Sequence, residues 1–242
     1  PGYTSTRLID GERVAEFDAI YSSSKDDISR LNRMIFSREH FPGDILQLDA
    51  ERSNYLCRVL RMREQEEVDI FDGEGGLYRC QVSKAHQRRA QIRVVEQIVS
   101  IERPDQAPSL AMALLKGQAM DRAIAQATEL GVQQIWLLQT DRSNLPLKGE
   151  RLDQKLGHWQ RIIASACEQC GQTWLPVLHP PRTVKACIDE QANGVPIVFD
   201  LDGALLPRQV DIHQPLIFIG PEGGWSDEEA QFFRDQDVAR YR

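Results

Sequence analysis

From Ser109 onward the sequence alternates short, apolar runs with longer segments whose apolar residues recur at every third or fourth position, and this alternation narrows the choice of fold more than any other feature. The run SLAMALL is followed by GQAMDRAIAQATEL, in which Met120, Ala123, Ile124, Ala127 and Leu130 recur at helical spacing and Gly131 supplies a stop. VQQIWLL is the next strand. Strand, helix and strand in this order pair the two strands in parallel through a right-handed crossover. The pattern then recurs: a long helix through LDQKLGHWQRIIASACEQC ends at Gly171, LPVLH is a short strand, TVKACIDEQ a helix, and VPIVFDL and PLIFIG two more buried strands. The expected class is α/β, with an open parallel sheet that binds ligands where loops leave the carboxyl ends of its strands.

One such end stands out. FIGPEGGWSDEE, Phe218 to Glu229, runs from an apolar strand through proline and glycine into a burst of acid. Pro221 fixes its own φ and biases Gly220 toward extended geometry, while Gly223 and Gly224 allow conformations that a Cβ would forbid. Ser226 can cap the following helix, with Glu229 at the reciprocal capping-box position. The stretch reads as strand, bare-backbone loop and capped helix, so a ligand can reach main-chain N–H and C=O groups. It lacks the Lys-Ser/Thr of a P-loop and the G-x-G-x-x-G spacing of a dinucleotide site, and Glu222 would repel phosphate. An uncharged heterocycle or a cationic ligand fits better; a tight turn that merely reverses the chain is the other reading.

The N-terminal part has a different texture. Residues 1–29 are turn-rich and acidic without a sustained period, and are expected to be an extension or fragment edge without a function of their own. Over 30–100, DILQLD, EVDIFDG, GLYRCQVSKA and RAQIRVVEQ are short Val-, Ile-, Tyr- and Phe-rich segments, which predicts a small β-rich domain with a hairpin at DGEGG, Asp72 to Gly76. Between its first strands, ERSNYLCRVLRM places Leu56, Val59 and Leu60 on one helical face. SIERPDQAP supplies a linker over 101–108, and 109–242 form the α/β domain. A net charge of −7 argues against indiscriminate nucleic-acid binding, so contact with a polyanion would use a local basic patch. Five scattered cysteines argue against a disulfide framework, and the lone C-x-x-C of Cys167 and Cys170 lacks the partners of a zinc site. No apolar run approaches the roughly 20 residues that span a bilayer and the start lacks a signal-peptide layout, so the expectation is a soluble cytoplasmic protein with no metal and no membrane partner.

RVLRM, KGQAMDRAIAQATELGV, DRSNL, HWQRIIASACEQCGQTWLP and IGPEGGWSDEE together resemble the RsmE family of 16S rRNA uridine-N3 methyltransferases, of the SPOUT superfamily, from about Arg33 to the end. The resemblance implies a small N-terminal PUA-like β-barrel that binds RNA, followed by a SPOUT α/β methyltransferase domain with a trefoil knot. It implies S-adenosyl-L-methionine as methyl donor, a homodimer, and 16S rRNA, within the small ribosomal subunit, as partner. Leu201, Ile219, Gly220, Pro221, Glu222, Gly223 and Gly224 are then expected to line the cofactor pocket, with Glu222 either near the cationic part of the donor or satisfying loop N–H groups. Family members continue beyond the position of Arg242 with a further strand and a final helix. For this sequence the expectation is a methyltransferase domain incomplete at its C-terminus, with the knot truncated there.

Methylation of N3 of uridine is an in-line displacement in which N3–H is lost. It needs alignment, plus either a base or groups that stabilise charge on the uracil carbonyls. The catalytic candidates are Arg142 in DRSN, to offset charge on the base, Gln169 in CEQCG, to pair with a uracil edge, and Glu168, to take a proton or to be a helix-end carboxylate in an ion pair. Lys116 and Asp121 are open in the same way. For RNA, Arg33, Arg52, Arg58, Arg61, Arg63 and Arg88 concentrate basic charge in the β-rich domain, while Glu64, Glu66 and Glu67 among them leave a solvated mixed-charge face as the alternative. Trp159, Ile162, Ile163, Ala166 and Cys167 exceed one narrow stripe, which suits either a subunit contact or a helix buried in its own domain. The competing functions are a noncatalytic RNA-binding or ribosome-assembly protein and a tRNA methyltransferase of the same superfamily.

Overall fold

Alternating patterning in the N-terminal part yields a mixed, half-barrel sheet. The computed structural model describes residues 33–36, 40–143, 148–190, 194–207 and 212–242, so the expected extension at 1–29 lies outside the described residues. Strands β1 (Arg33–Ile35), β2 (Ile45–Gln47), β3 (Glu67–Phe71), β4 (Gly76–Lys84) and β5 (Gln91–Ser100) lie in the order β1-β3-β4-β5-β2. β1 runs parallel to β3 and the remaining pairs are antiparallel. Alternate residues point inward: Val68 and Ile70, Tyr78, Cys80 and Val82, and Ile92 and Val94 share one core with Leu46 and Leu56. The DGEGG hairpin forms as its sequence predicts, opening after the Phe71–Leu77 pair. Its floor is the buried carboxylate of Asp72, which accepts from Glu74 N–H (2.7 Å), Gly76 N–H (2.9 Å) and the Tyr78 hydroxyl (3.0 Å).

The helix between β2 and β3 departs from expectation. α1 (Ala50–Asn54) passes into a π turn over Tyr55–Val59, closed by Leu60 N–H donating to Tyr55 O at 2.9 Å. The wider turn carries Val59 off the face that Leu56 occupies, so Leu56 is fully buried while Val59 is 61% exposed.

The remaining strands are β6 (Ser109–Ala113), β7 (Gln134–Leu138), β8 (Val177–Arg182), β9 (Val195–Ala204), β10 (Pro215–Ile219) and β11 (Ala239–Tyr241). They form one sheet in the order β11-β9-β10-β6-β7-β8. Every pairing in it is parallel. Helices α2 (Gln118–Glu129) and α3 (Glu150–Cys170) cover one face, and α4 (Val184–Glu190) and α5 (Asp227–Asp235) the other. Alternation decides which residue meets which layer: Met112, Ile135 and Leu137 meet Ile124, Trp159 and Ile163, whereas Ala111, Trp136 and Leu138 join Val184, Phe218 and Phe233. Ile35, Phe71 and Leu77 of the half-barrel also enter the α2–α3 core, which seats the two sheets on a common apolar layer.

Trp159, Ile163, Ala166 and Cys167 are buried within their own chain and Ile162 is half-buried against the same core, which favours the second of the two readings of α3, a helix buried in its own domain. One expectation needs correction here: β8 extends through two prolines to Arg182, beyond the expected end at His179; it is an edge strand, and its register against β7 shifts between His179 and Arg182, where the prolines lie. No helix among the described residues is long and apolar enough to cross a membrane.

Candidate cofactor site at the carboxyl ends of the sheet

β10 lies between β6 and β9, and its carboxyl end releases the glycine loop. Gly224 N–H donates to Pro221 O at 2.8 Å, closing a turn in which Gly224 takes φ +70°. The capping box forms as predicted: Ser226 Oγ accepts from Glu229 N–H (3.1 Å) and Glu229 Oε2 accepts from Ser226 N–H (2.9 Å). Trp225 anchors the loop from below, donating its indole N–H to Phe199 O at 3.0 Å and packing edge-on against Phe233. Gly223 and Gly224 differ in the freedom they use. Gly223 is outside the left-handed region, and a Cβ there would meet Arg142 only at ordinary contact, 3.6 Å. Gly223→Ala is therefore expected to leave the thermal midpoint nearly unchanged. Gly224→Ala, with open space but a left-handed backbone, is expected to lose about 1–2 kcal/mol, read by chemical denaturation; equal effects at both positions would contradict this assignment.

The loop after β7 locks onto the glycine loop. Arg142 donates through Nη1 to Gly223 O at 2.9 Å, Ser226 Oγ donates to Asp141 Oδ2 at 2.6 Å, and Asp141 N–H donates to Glu229 Oε1 at 3.1 Å. Ser143 closes its own turn, accepting from Thr140 N–H and donating to Thr140 O, which leaves it no role as a nucleophile. Thr140 is a residue that sequence reasoning missed. Its Oγ1 is buried and has no hydrogen-bond partner, an omission worth about 1–3 kcal/mol unless a ligand or water supplies one. Beside this junction Leu201 is 87% exposed, and Ile219 is also exposed, although both are apolar. An apolar shelf beside bare loop backbone suits a flat, partly polar ligand. Glu222 is exposed, and Glu229, not Glu222, satisfies the loop N–H groups.

The other catalytic candidates lie elsewhere. α3 runs back from the carboxyl end of β7 to the amino end of β8, so Glu168 and Gln169 in its last turn sit toward the amino ends of the strands, opposite the end that carries Arg142. Glu168 Oε1 accepts from Ile35 N–H of β1 at 3.3 Å. Burial raises its carboxyl above the ordinary range, opposed by that hydrogen bond and by the charge of Arg52. A carboxyl raised in the folded state contributes stability that is complete below its unfolded pKa and lost as pH rises through the folded value. Glu168→Gln keeps an acceptor and removes that loss, so its thermal midpoint is expected above wild type near pH 8 and equal to it near pH 3.5. Glu168→Ala orphans Ile35 N–H and is expected to lose about 1 kcal/mol at every pH. A midpoint of Glu168→Gln below wild type at about pH 8 would refute this account.

Asp121 is a structural acceptor: its carboxylate takes the Trp159 indole N–H at 3.1 Å and lies 3.0 Å from His158 Nε2, contacts that hold it below the ordinary carboxylate range, the His158 contact foremost. Lys116 is exposed. No group of three or more metal-ligating side chains occurs among the described residues.

Of the arginines expected to contact RNA, Arg52 is turned inward, paired with Asp49 at 2.8 Å and stacked over Phe36. Arg58, Arg61, Arg63 and Arg88 are exposed, and none has an ion pair among the described residues. Two of the interspersed acids are spent on main chain: Glu64 accepts from Ala85 N–H and Glu66 from Arg63 N–H. Arg33 lies in β1, but its side chain is outside what is described.

Comparison with known proteins places this arrangement. A family model described as an RNA methyltransferase domain matches residues 102–242, and one described as an RNA methyltransferase PUA domain matches 48–95. The chain is 29% identical to the ribosomal RNA small subunit methyltransferase E of Synechocystis sp., over 81% of this chain and 66% of that one. It is 25% identical to the protein of the same name from Helicobacter pylori, over 81% and 85%. A crystal structure of a ribosomal RNA small subunit methyltransferase E from Neisseria gonorrhoeae bound to S-adenosyl methionine superposes with TM-score 0.79 at 24% identity, covering 88% of this chain and 89% of that chain. A methyltransferase from Legionella pneumophila in complex with the same cofactor gives 0.77 at 26% identity, covering 88% of both. With more than half of its length matched by the first family model, the chain belongs to the RNA methyltransferase family.

Proposed function

We propose that this chain is an S-adenosylmethionine-dependent ribosomal RNA methyltransferase that modifies N3 of a uridine in 16S rRNA of the small subunit, working as a homodimer. The observation that carries the reading is the junction of the glycine loop with the Thr140–Ser143 loop, in a chain of this family. Leu201, Ile219 and the main chain of Gly220–Gly224 would hold the cofactor. When bound, the cofactor supplies a methyl group activated on a sulfonium sulfur. Arg142 presents its guanidinium to the substrate base from the same junction; one N–H is spent on Gly223 O, and Nη2 stands 4.0 Å from Asp227, too far for a hydrogen bond. As uracil N3 gives up its proton to solvent, that cation lowers the cost of the charge that spreads onto the carbonyl oxygens. Glu168 and Gln169 take no part at this junction in the same chain.

The test is calorimetry with S-adenosylmethionine, followed by incubation of the chain with small-subunit RNA and with tRNA and nucleoside mass spectrometry of each. The expected result is saturable cofactor binding and 3-methyluridine in the small-subunit RNA alone. Binding without transfer would favour a noncatalytic ribosome-assembly role, methylation of tRNA a different substrate, and absence of binding would remove the reading. Light scattering is expected to give twice the monomer mass; a monomer would remove the dimer.

A further inference from the structure

We propose that the half-barrel carries a preformed phosphodiester-binding subsite between α1 and the β4–β5 turn, with Arg58 and Arg88 as its charged walls. The inference rests on the rRNA methyltransferase reading and names where the substrate backbone is gripped. A cavity of about 270 Å³ is lined by Ala50, Asn54, Arg58, Gln87 and Arg88. Its two sides are held at fixed separation by a buried hydroxyl: Ser53 Oγ accepts from Ala90 N–H at 2.9 Å and donates to Leu48 O at 3.3 Å, while Leu48 N–H donates to Ala90 O at 2.9 Å. These bonds pin the helix to the strand that follows the turn. The backbone on both sides of the cavity is therefore fixed before any ligand arrives, which lowers the ordering cost of binding.

The chemistry of the lining selects an anion with several oxygens. Arg58 is oriented by donating Nη2–H to Gln87 Oε1 at 2.9 Å, which leaves most of its five donors for a ligand, and the Asn54 and Gln87 side-chain amides add neutral donors. Neither arginine is neutralised by a carboxylate among the described residues, because Asp49 is held by Arg52 and Glu64 by Ala85 N–H. The π turn contributes directly. It includes Arg58 and leaves that side chain exposed, with Val59 beside it. In a chain of net charge −7, a local cationic cleft of this kind draws a polyanion to one place instead of coating the surface.

The experiment compares the wild-type chain with the double variant Arg58→Gln/Arg88→Gln, both substitutions being at exposed positions. Binding of fluorescently labelled small-subunit RNA is measured by anisotropy over a range of salt concentrations, with cofactor affinity measured in parallel. The expected result is an affinity for RNA lower by about tenfold or more at low salt, and a slope of log affinity against log salt shallower by about 1–2, as for loss of two phosphate contacts. Cofactor affinity and thermal midpoint should stay at wild-type values, showing that the fold is intact. Unchanged RNA affinity and slope in the variant, with a wild type that binds and methylates RNA, would overturn the subsite and leave the functional reading standing. A wild type that neither binds nor methylates RNA would overturn both. Titration with inorganic phosphate alone separates the sources: weak, millimolar binding is expected, and tight binding that RNA does not displace would assign the cleft to a free anion.

Discussion

Replacement of Gly75 by alanine is expected to lower the thermal midpoint by roughly 10 °C. A Cβ at that position would stand 2.1 Å from Ile101 O and 2.8 Å from the Trp174 indole nitrogen, and the residue has φ +101°. Neither neighbour can yield cheaply. The Ile101 carbonyl accepts the Trp174 indole N–H at 2.8 Å, and Ile101 N–H donates back to Gly75 O at 3.0 Å. Gly75 N–H donates to Thr173 O at 3.1 Å, Leu175 N–H donates to Gly73 O at 3.0 Å, and the Arg103 guanidinium lies over the Trp174 ring. The hairpin tip is thus sewn to the segment between α3 and β8. Backbone overlap together with left-handed strain is worth about 4 kcal/mol or more, and at about 2–4 °C per kcal/mol that gives the stated shift. Because this seam lies at the amino ends of the sheet, away from the glycine loop, cofactor affinity well below the melting transition is expected to survive while RNA methylation falls. A midpoint within about 2 °C of wild type would show that the seam is slack.

Arg142→Ala is expected to reduce the rate constant for methyl transfer by about 10²–10³-fold, the range found when one preorganised donor to developing charge is removed. Its Nη1 contact with Gly223 O shows what else is at stake, since the same side chain braces the loop that would hold the cofactor. Arg142→Lys separates the two roles. A lysine retains charge but not the planar fork, so it should recover part of the rate and little of the bracing. If the role is electrostatic, kcat falls with KM for the cofactor changed only a few-fold; if it is bracing alone, KM rises and kcat holds. Single-turnover measurement with saturating cofactor and small-subunit RNA distinguishes them, and a wild-type kcat in Arg142→Ala would exclude the proposed contact with the base.

Much of the architecture was readable because period and punctuation agreed. The run from Ser109 to Leu138 combined a short apolar segment, a helical stripe stopped at Gly131, and a second apolar segment, and all three became β6, α2 and β7. Ser226 and Glu229 likewise predicted their own capping box from spacing alone. What escaped the sequence depended on partners distant in the chain. Val59 obeys a helical spacing that the π turn breaks, and no residue nearby announces that turn. The strand at Ala239–Tyr241 gains its identity only by lying beside β9. At the candidate site the loop was legible from glycine and proline, but Thr140 was not, since an unpartnered hydroxyl is a property of surroundings and not of residue type. Glu168 had the right chemistry for a base, yet crossover geometry carried it to the amino ends of the strands.

The shared carboxylate of Glu229 has a consequence for which residues this position can tolerate. One oxygen serves Ser226 N–H, a local contact that any helix start can arrange, while the other reaches Asp141 N–H on a different loop. Aspartate would shorten the arm by a methylene and could reach at most one of the two. A position that looks interchangeable by the ordinary rules of helix initiation is therefore constrained by tertiary reach, and drift there would loosen two loops at once.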